Sequence, residues 1–162
     1  MDAKEQLRHA AEKLALTLAQ NGMQKTTARV MTALLYTEQD TMTAADLCEE
    51  LSISSGAVST AIKQLIPVGL VERVPAPGSR RDHYRFRDGA WATLMSQQNV
   101  MLDVMLGAAR EGIDVARDGS STARRLHEMQ NFYAYMAREM PTLIENWQVR
   151  ARCPFTACRA VM

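Results

Sequence analysis

The fold is decided between Thr43 and Arg87, where the chain reads TAADLCEELSISSGAVSTAIKQLIPVGLVERVPAPGSRRDHYRFR. Two short helices separated by a tight turn are predicted at the start of this stretch. Thr43 can cap the first helix through its hydroxyl, and Asp46 suits the positive end of the helix dipole. The serines and glycine between Ser52 and Gly56 compete for backbone hydrogen bonds, which predicts a turn of about three to four residues.

The second helix is predicted to begin with Ser54 or Ser55 as its cap and to end before Pro67. Its apolar residues recur at helical spacing and define a buried stripe. The opposite face carries small polar side chains, which can lie deep in a DNA major groove. The alternative is an ordinary solvated face. The candidate DNA contacts on this helix are Ser54, Ser55, Gly56, Ser59, Thr60, Lys63 and Gln64.

A β-hairpin is predicted after Gly69, because two alternating, β-branched or aromatic segments flank a loop rich in Pro and Gly. The loop ends in Arg80 and Arg81, and Asp82, next to Arg81, could hold one guanidinium in place. A cationic hairpin tip can lie beside a phosphate backbone or enter a minor groove. The alternative is a merely soluble turn. The candidate DNA contacts here are Arg80, Arg81 and the outward-facing His83.

Charge is segregated along the chain, although the formal net charge is only +1. Residues 54–87 contain six Lys or Arg against two acidic residues, a surplus of four, whereas residues 38–53 contain five acidic residues and no Lys or Arg. Positive charge is therefore concentrated on the helix and hairpin that would face DNA.

The segment from Thr43 to Arg87 resembles the winged helix-turn-helix of MarR-type bacterial transcription regulators. The helix start at residues 22–31, GMQKTTARVM, and the form of the hairpin are similar to the glycine-betaine-responsive subgroup. The resemblance implies a homodimer that places one recognition helix in each of two successive major grooves and a wing on the adjacent backbone. The present sequence lacks a long basic or amide side chain early in the recognition helix, so specificity should depend on Lys63, Gln64, the Ser54/Ser55 end and DNA shape.

The rest of the chain is predicted to be helical, which gives a mainly α fold with a small β-hairpin wing (α+β). Apolar residues from Leu126 to Trp147 recur at three and four residues, as in a coiled-coil seam, and Pro141 predicts a kink or restart near Met140. So much apolar surface predicts a helical dimerisation lobe made from both ends of the chain. The predicted organisation is a dimerisation helix at 1–21, a winged helix-turn-helix domain at 22–88, dimerisation helices at 89–150 and a tail at 151–162.

A small-molecule effector is a further implication of the resemblance, since family members often bind ligands where the winged domain meets the dimerisation helices. That junction is predicted to be lined by Trp91, Met95, Tyr133 and Met136. These side chains suit an apolar or quaternary-ammonium ligand. The alternative is that they are core packing.

The sequence offers no support for catalysis, metal binding or a cofactor. The three histidines are far apart, and no phosphate-binding loop or nucleophile motif is present. Cys153 and Cys158 are too isolated for a zinc site. The two remaining interpretations are a redox switch and a C-terminal tail without a function. No apolar stretch is long enough to span a membrane and the N-terminus does not resemble a signal peptide, which predicts a cytoplasmic protein.

Two functions from different classes fit these observations. The favoured one is a homodimeric, sequence-specific regulator that binds double-stranded DNA. The alternative is a winged-helix module that contacts an acidic protein partner through its arginine-tipped wing. Charge segregation favours DNA.

Overall fold

The computed structural model describes residues 2–152, with the side chains of residues 98, 99 and 152 left out. Cys153 and Cys158 lie outside the described residues. The chain divides after Trp91 into two compact units. We call residues 2–91 the winged unit and residues 92–152 the helical unit.

The winged unit contains four helices and three strands. In chain order they are α1 (Ala3–Gln20), α2 (Lys25–Tyr36), β1 (Met42–Thr43), α3 (Ala44–Leu51), α4 (Ser55–Leu65), β2 (Val71–Val74) and β3 (His83–Phe86). Helix α2 is the centre of this unit, because it packs against α1, α3, α4 and β3. Its buried residues run almost without interruption from Thr27 to Leu34.

Helix α1 packs along α2 within the winged unit. Ala11 and Ala15 are its buried residues, and small side chains let the two helices approach closely. Arg29 of α2 reaches back to Glu12 of α1, with its Nη2 atom 2.8 Å from Oε1. The N-terminal helix is therefore held by apolar packing and by one partly buried ion pair.

The three strands form an antiparallel sheet in the order β1-β3-β2. The predicted hairpin is β2 and β3, in which Val71 pairs with Phe86 and Val74 with His83. Strand β1 was not predicted from the sequence, since two residues carry no alternation pattern. It pairs Met42 with Tyr84 and Thr43 with His83, which makes β3 the central strand.

The helical unit consists of α5 (Ala90–Val115), which begins two residues before the division, and α6 (Ser121–Arg152). Ser120 Oγ accepts a hydrogen bond from the Ala123 N–H at 3.1 Å and caps α6. A Cβ atom at Gly112 would lie 2.8 Å from Leu126 Cδ1, so a glycine allows close approach near the helix turn. The α6 helix continues through Pro141, and the restart predicted near Met140 is absent.

The fold class predicted from the sequence is confirmed: the protein is mainly helical with a small antiparallel sheet. Among the described residues, no helix is both long and apolar enough to cross a membrane.

Candidate nucleic-acid interface

The helix-turn-helix formed by α3 and α4 is closed by local hydrogen bonds. Thr43 Oγ1 accepts from the Asp46 N–H at 3.2 Å, and the Asp46 carboxylate accepts from the Thr43 N–H and hydroxyl at 2.7 Å each. The bond from the Thr43 N–H, followed by that from its hydroxyl, holds the pKa of Asp46 below its usual value. Ser52 ends α3 with a left-handed φ of 52°, and Ser54 Oγ caps α4 through the Ala57 N–H.

The α4 helix presents a buried face to α2 and α3 and an exposed face to solvent. Val58, Ile62 and Leu65 are buried, as their spacing predicts. Thr60 donates its hydroxyl hydrogen to the Gly56 carbonyl at 2.9 Å, so it can offer only lone pairs to an outside partner. The exposed residues of this helix and its cap include Ser54, Ser55, Gly56, Ser59, Thr60, Lys63 and Gln64.

Gln64 is exposed but has a contact within the winged unit. The Thr27 hydroxyl lies 2.5 Å from Gln64 Oε1 and 3.0 Å from Gln24 Oε1. One hydroxyl hydrogen can serve only one of these oxygens, so one of the two amides must turn to donate. This contact ties the end of α4 to the start of α2 and occupies one atom of the Gln64 amide, so a base or phosphate would have to bind the other.

The wing loop is shaped by a type II turn over Ala76-Pro77-Gly78-Ser79. Proline fixes the second position, Gly78 takes a φ of 83° at the third, and the Ser79 N–H donates to the Ala76 carbonyl at 3.0 Å. Arg80 and Arg81 follow this turn and are both exposed.

Ion pairs within the wing identify which cations are available to DNA. Arg85 Nε lies 2.7 Å from Glu72 Oε1, and Arg73 Nη1 lies 3.5 Å from Asp82 Oδ1. Asp82 therefore does hold one guanidinium, but it is that of Arg73 on β2 and not that of a wing-tip arginine. The hydrogen bond and charge of Glu72 raise the pKa of Arg85 above its usual value.

These two pairs occupy both acidic residues of the segment 54–87. The four cations that remain are exposed and form no ion pair with any residue that the structure describes. They are Lys63, Arg80, Arg81 and Arg87. The surplus of four positive charges counted in the sequence thus corresponds to four specific side chains on α4 and the wing.

His83 lies half-buried at the start of β3 rather than projecting freely from the wing. Its Nδ1 atom is 3.0 Å from Thr41 Oγ1, and its Nε2 atom is 3.2 Å from Ser79 Oγ. Sequence reasoning did not identify Thr41 or Ser79. No sequence signal could have found the contact to Thr41, because 42 residues separate Thr41 from His83.

The residues predicted to bind an effector fall in both units. Trp91 belongs to the winged unit, where its ring lies 5.2 Å from the Phe86 ring. In the helical unit Met95 is exposed, Met136 is half-buried, and Tyr133 contacts Phe132 edge to face. A cleft of about 480 Å³ occurs elsewhere in the winged unit, between α1, α2 and α3, and none of the four predicted residues lines it. Its walls include Tyr36, Met42, Glu49 and Glu50.

No group of three or more His, Cys, Asp or Glu side chains that could hold a metal ion occurs among residues 2–152.

The fold is a winged helix-turn-helix, an architecture typical of DNA-binding regulators, and its α4-wing surface is cationic. Two comparisons of sequence agree with that class. Residues 21–82 match the profile of the MarR family, and residues 89–150 match that of MmpR5-like MarR family transcriptional regulators. The chain belongs to the MarR family.

Individual relatives support this assignment. The HTH-type transcriptional regulator MmpR5 of Mycobacterium tuberculosis is 26% identical over 137 residues, covering 84% of this chain and 83% of that protein. The HTH-type transcriptional repressor OpcR of Bacillus subtilis is 29% identical over 88 residues, covering 54% of this chain and 47% of that protein. A crystal structure of a transcriptional regulator has the same fold, with a TM-score of 0.76, 24% identity, and coverage of 88% of this chain and 98% of that one. The similarity to the glycine-betaine-responsive subgroup stays a prediction.

Proposed function

We propose that this protein is a homodimeric, cytoplasmic transcription regulator that binds specific sites on double-stranded DNA. In this proposal α4 enters the major groove and the wing lies on the adjacent backbone. The observation that carries it is the set of four unpaired cations, Lys63, Arg80, Arg81 and Arg87, on α4 and the wing. Each can neutralise a phosphate without first breaking an ion pair.

Sequence readout in this proposal depends little on the centre of α4. Ser59, Thr60 and Gly56 are too short for the bidentate Arg–guanine or Asn–adenine contacts that discriminate by about 1–3 kcal/mol each. Thr60 also uses its hydroxyl hydrogen within α4 itself. Specificity is therefore assigned to the Ser54 and Ser55 end, to Lys63 and Gln64, and to the deformability of the DNA.

Dimerisation is assigned to the predicted segments at 1–21 and 89–150. The support is exposed apolar surface on α5 and α6, where Val104 is 59% exposed, Leu143 66% and Trp147 59%. Leu143 and Trp147 lie one turn apart on the same face of α6, and soluble monomers rarely expose large contiguous apolar surface, so a partner surface is expected. A second copy suits this role because a two-fold dimer presents two α4 helices to two half-sites.

The wing supplies the test of DNA binding. Replacing Arg80 and Arg81 with Ala should weaken binding to all DNA sequences and flatten the dependence of log affinity on log salt by about one to two units, roughly one for each phosphate that the variant no longer neutralises. Gel-shift titrations at several salt concentrations measure this slope. The control is the Arg124→Ala/Arg125→Ala variant, which removes the same charge from an adjacent exposed pair on α6.

An unchanged salt slope in the folded wing variant, or an equal change in the control, would contradict the proposal. The same titrations address the alternative, a module that contacts an acidic protein. Such a module should bind no DNA sequence specifically in these titrations. The comparisons do not favour this alternative, because the relatives are described as transcriptional regulators.

Effector response is the second part of the proposal, supported by the family resemblance and by the adaptable Met and aromatic side chains at the predicted site. A thermal-shift screen of osmolytes and aromatic acids, followed by DNA titration with each hit, tests it. Trp91→Ala and Tyr36→Ala then locate the ligand at the predicted residues or in the α1-α2-α3 cleft. If no compound changes both melting temperature and DNA affinity, these residues serve packing.

A further inference from the structure

His83 connects two segments that are distant in the sequence. It is the first residue of β3, the central strand, and both of its ring nitrogens face hydroxyl groups. Nδ1 lies 3.0 Å from Thr41 Oγ1, just before β1, and Nε2 lies 3.2 Å from Ser79 Oγ in the wing loop. A rigid ring thus spans the distance between the edge of the sheet and the wing loop.

Ser79 connects His83 to the wing arginines through hydrogen bonds to Arg81. Its Oγ atom accepts from the Arg81 N–H at 3.1 Å and lies 3.4 Å from the Arg81 carbonyl oxygen. Its own N–H donates to the Ala76 carbonyl and closes the type II turn. Ser79 is therefore hydrogen-bonded to the residues on both sides of it, Ala76 before it and Arg81 after it, and its side chain also contacts His83. Arg80 lies between Ser79 and Arg81.

We infer that His83 is a positioning residue for the wing: it fixes Arg80 and Arg81 by holding Ser79, and it does not itself contact DNA. This inference rests on the proposed function, since an ordered wing matters only when it binds something. A pre-ordered arginine pair gives up less conformational freedom on binding, which raises affinity without adding a contact. Thr41 completes the arrangement by fixing the ring from the other side.

The hydrogen bonds of His83 to Thr41 and to Ser79 can be removed one at a time by substitution. A hydroxyl can donate or accept, so the bridge suits either neutral tautomer of the imidazole. Glutamine can place its terminal amide near the position of Nε2, whereas asparagine can place its amide only near that of Nδ1. His83→Gln should therefore keep the contact to Ser79, and His83→Asn should keep only the contact to Thr41.

The expected DNA affinities follow from this difference. Removing the hydrogen bond to Ser79 should weaken DNA binding about 2- to 10-fold, as for one neutral hydrogen bond. We expect that weakening in His83→Ala, His83→Asn and Ser79→Ala, and near wild-type binding in His83→Gln. The His83→Ala/Ser79→Ala double variant should bind no more weakly than Ser79→Ala alone, because Ser79→Ala already removes the hydrogen bond to His83 together with the one from the Arg81 N–H.

A second measurement needs no DNA. Trypsin cleaves after arginine, so the rate of cleavage after Arg80 and Arg81 in the folded full-length protein reports the order of the wing loop. His83→Ala and His83→Asn should be cleaved faster there, with no faster cleavage in the strands and with a fall in melting temperature of only a few degrees, as for one or two lost hydrogen bonds. A general structural defect would instead lower the melting temperature much further and expose other sites.

Two results would overturn the inference. Equal cleavage of wild type and His83→Ala would show that His83 does not order the loop. Normal DNA binding by Ser79→Ala, together with weak binding by both His83→Ala and His83→Gln, would show that His83 contacts DNA directly. If the wild-type protein bound no DNA, the cleavage rates would still decide the role of His83, and only the proposed function would fail.

Discussion

Gly56 stands on the exposed face of α4 without a structural reason to be glycine. A Cβ atom added there would meet nothing within 4 Å, and its backbone is not in the left-handed region. Glycine within a helix costs roughly 0.5–1 kcal/mol relative to alanine. A residue that weakens the fold without relieving any contact inside it points to an outside surface that approaches closely. In the proposed complex that surface is DNA.

Gly56→Ala should therefore have opposite effects on folding and on binding. We expect the free energy of unfolding to rise by about 0.4–1 kcal/mol, because the unfolded chain loses freedom. DNA binding should weaken, because the added methyl group holds α4 away from the groove. Urea unfolding and DNA titration measure the two quantities.

The control for that comparison is Gly107→Ala on α5, where an added Cβ atom also meets nothing within 4 Å. It should stabilise the protein comparably and, in a protein that sedimentation shows to be dimeric, leave DNA affinity unchanged. Unchanged or tighter DNA binding by the stabilised Gly56→Ala protein would show that nothing approaches this face closely.

At the scale of elements, the helix-turn-helix could be predicted because its signals are local. The caps of α3 and α4 each join residues three apart, Thr43 with Asp46 and Ser54 with Ala57, and the structure confirms both. The buried stripe of α4 follows from its spacing in the same way. Neighbouring residues carry all the information that these features need.

Features that join distant segments could not be predicted in this way. Strand β1 exists only because Met42 and Thr43 meet β3, and Asp82 pairs with Arg73 rather than with its neighbour Arg81 because β2 lies opposite. The bridge at His83 is of the same kind. Sequence reasoning found the charged tip of the wing but not the contacts that hold it.

The capping box of α3 gives a prediction of pH dependence. The pKa of Asp46 is lowered from about 3.8 by hydrogen bonds from Thr43, so its carboxylate stabilises the fold fully above that pH. That contribution is lost as the pH falls through the lowered value. Asp46→Ala should cost about 1 kcal/mol at pH 7, in the range of a lost cap.

The difference in unfolding free energy between wild type and Asp46→Ala should shrink as the pH falls below about 3.8. Urea unfolding at several pH values measures it. Glu49→Ala, which removes the same charge from the exposed side of α3, serves as the control and should change stability little. A difference that stays constant with pH would show that the Asp46 carboxylate does not stabilise α3 through its hydrogen bonds from Thr43.

At the scale of the whole molecule, the two units carry different kinds of surface. Within the part of the chain that the structure describes, the winged unit has four cations without an ion pair on α4 and the wing, whereas the helical unit exposes apolar side chains along α5 and α6. Water-exposed apolar surface favours association, and unpaired cations favour a polyanion. One chain thus carries a surface suited to a second copy and another suited to DNA.

A single charge placed on the apolar stripe of α6 tests the connection between these two surfaces. Leu143→Asp buries an unpaired carboxylate if the stripe is an interface, so the dimer should dissociate in sedimentation experiments. DNA affinity should fall by far more than any change in the winged unit explains, because one half-site is then bound without its tethered neighbour. Thr142→Asp adds the same charge at an exposed position turned by about 100° around the same helix, and it should remain dimeric. A Leu143→Asp protein that stays dimeric and binds DNA normally would place the dimer interface on another surface.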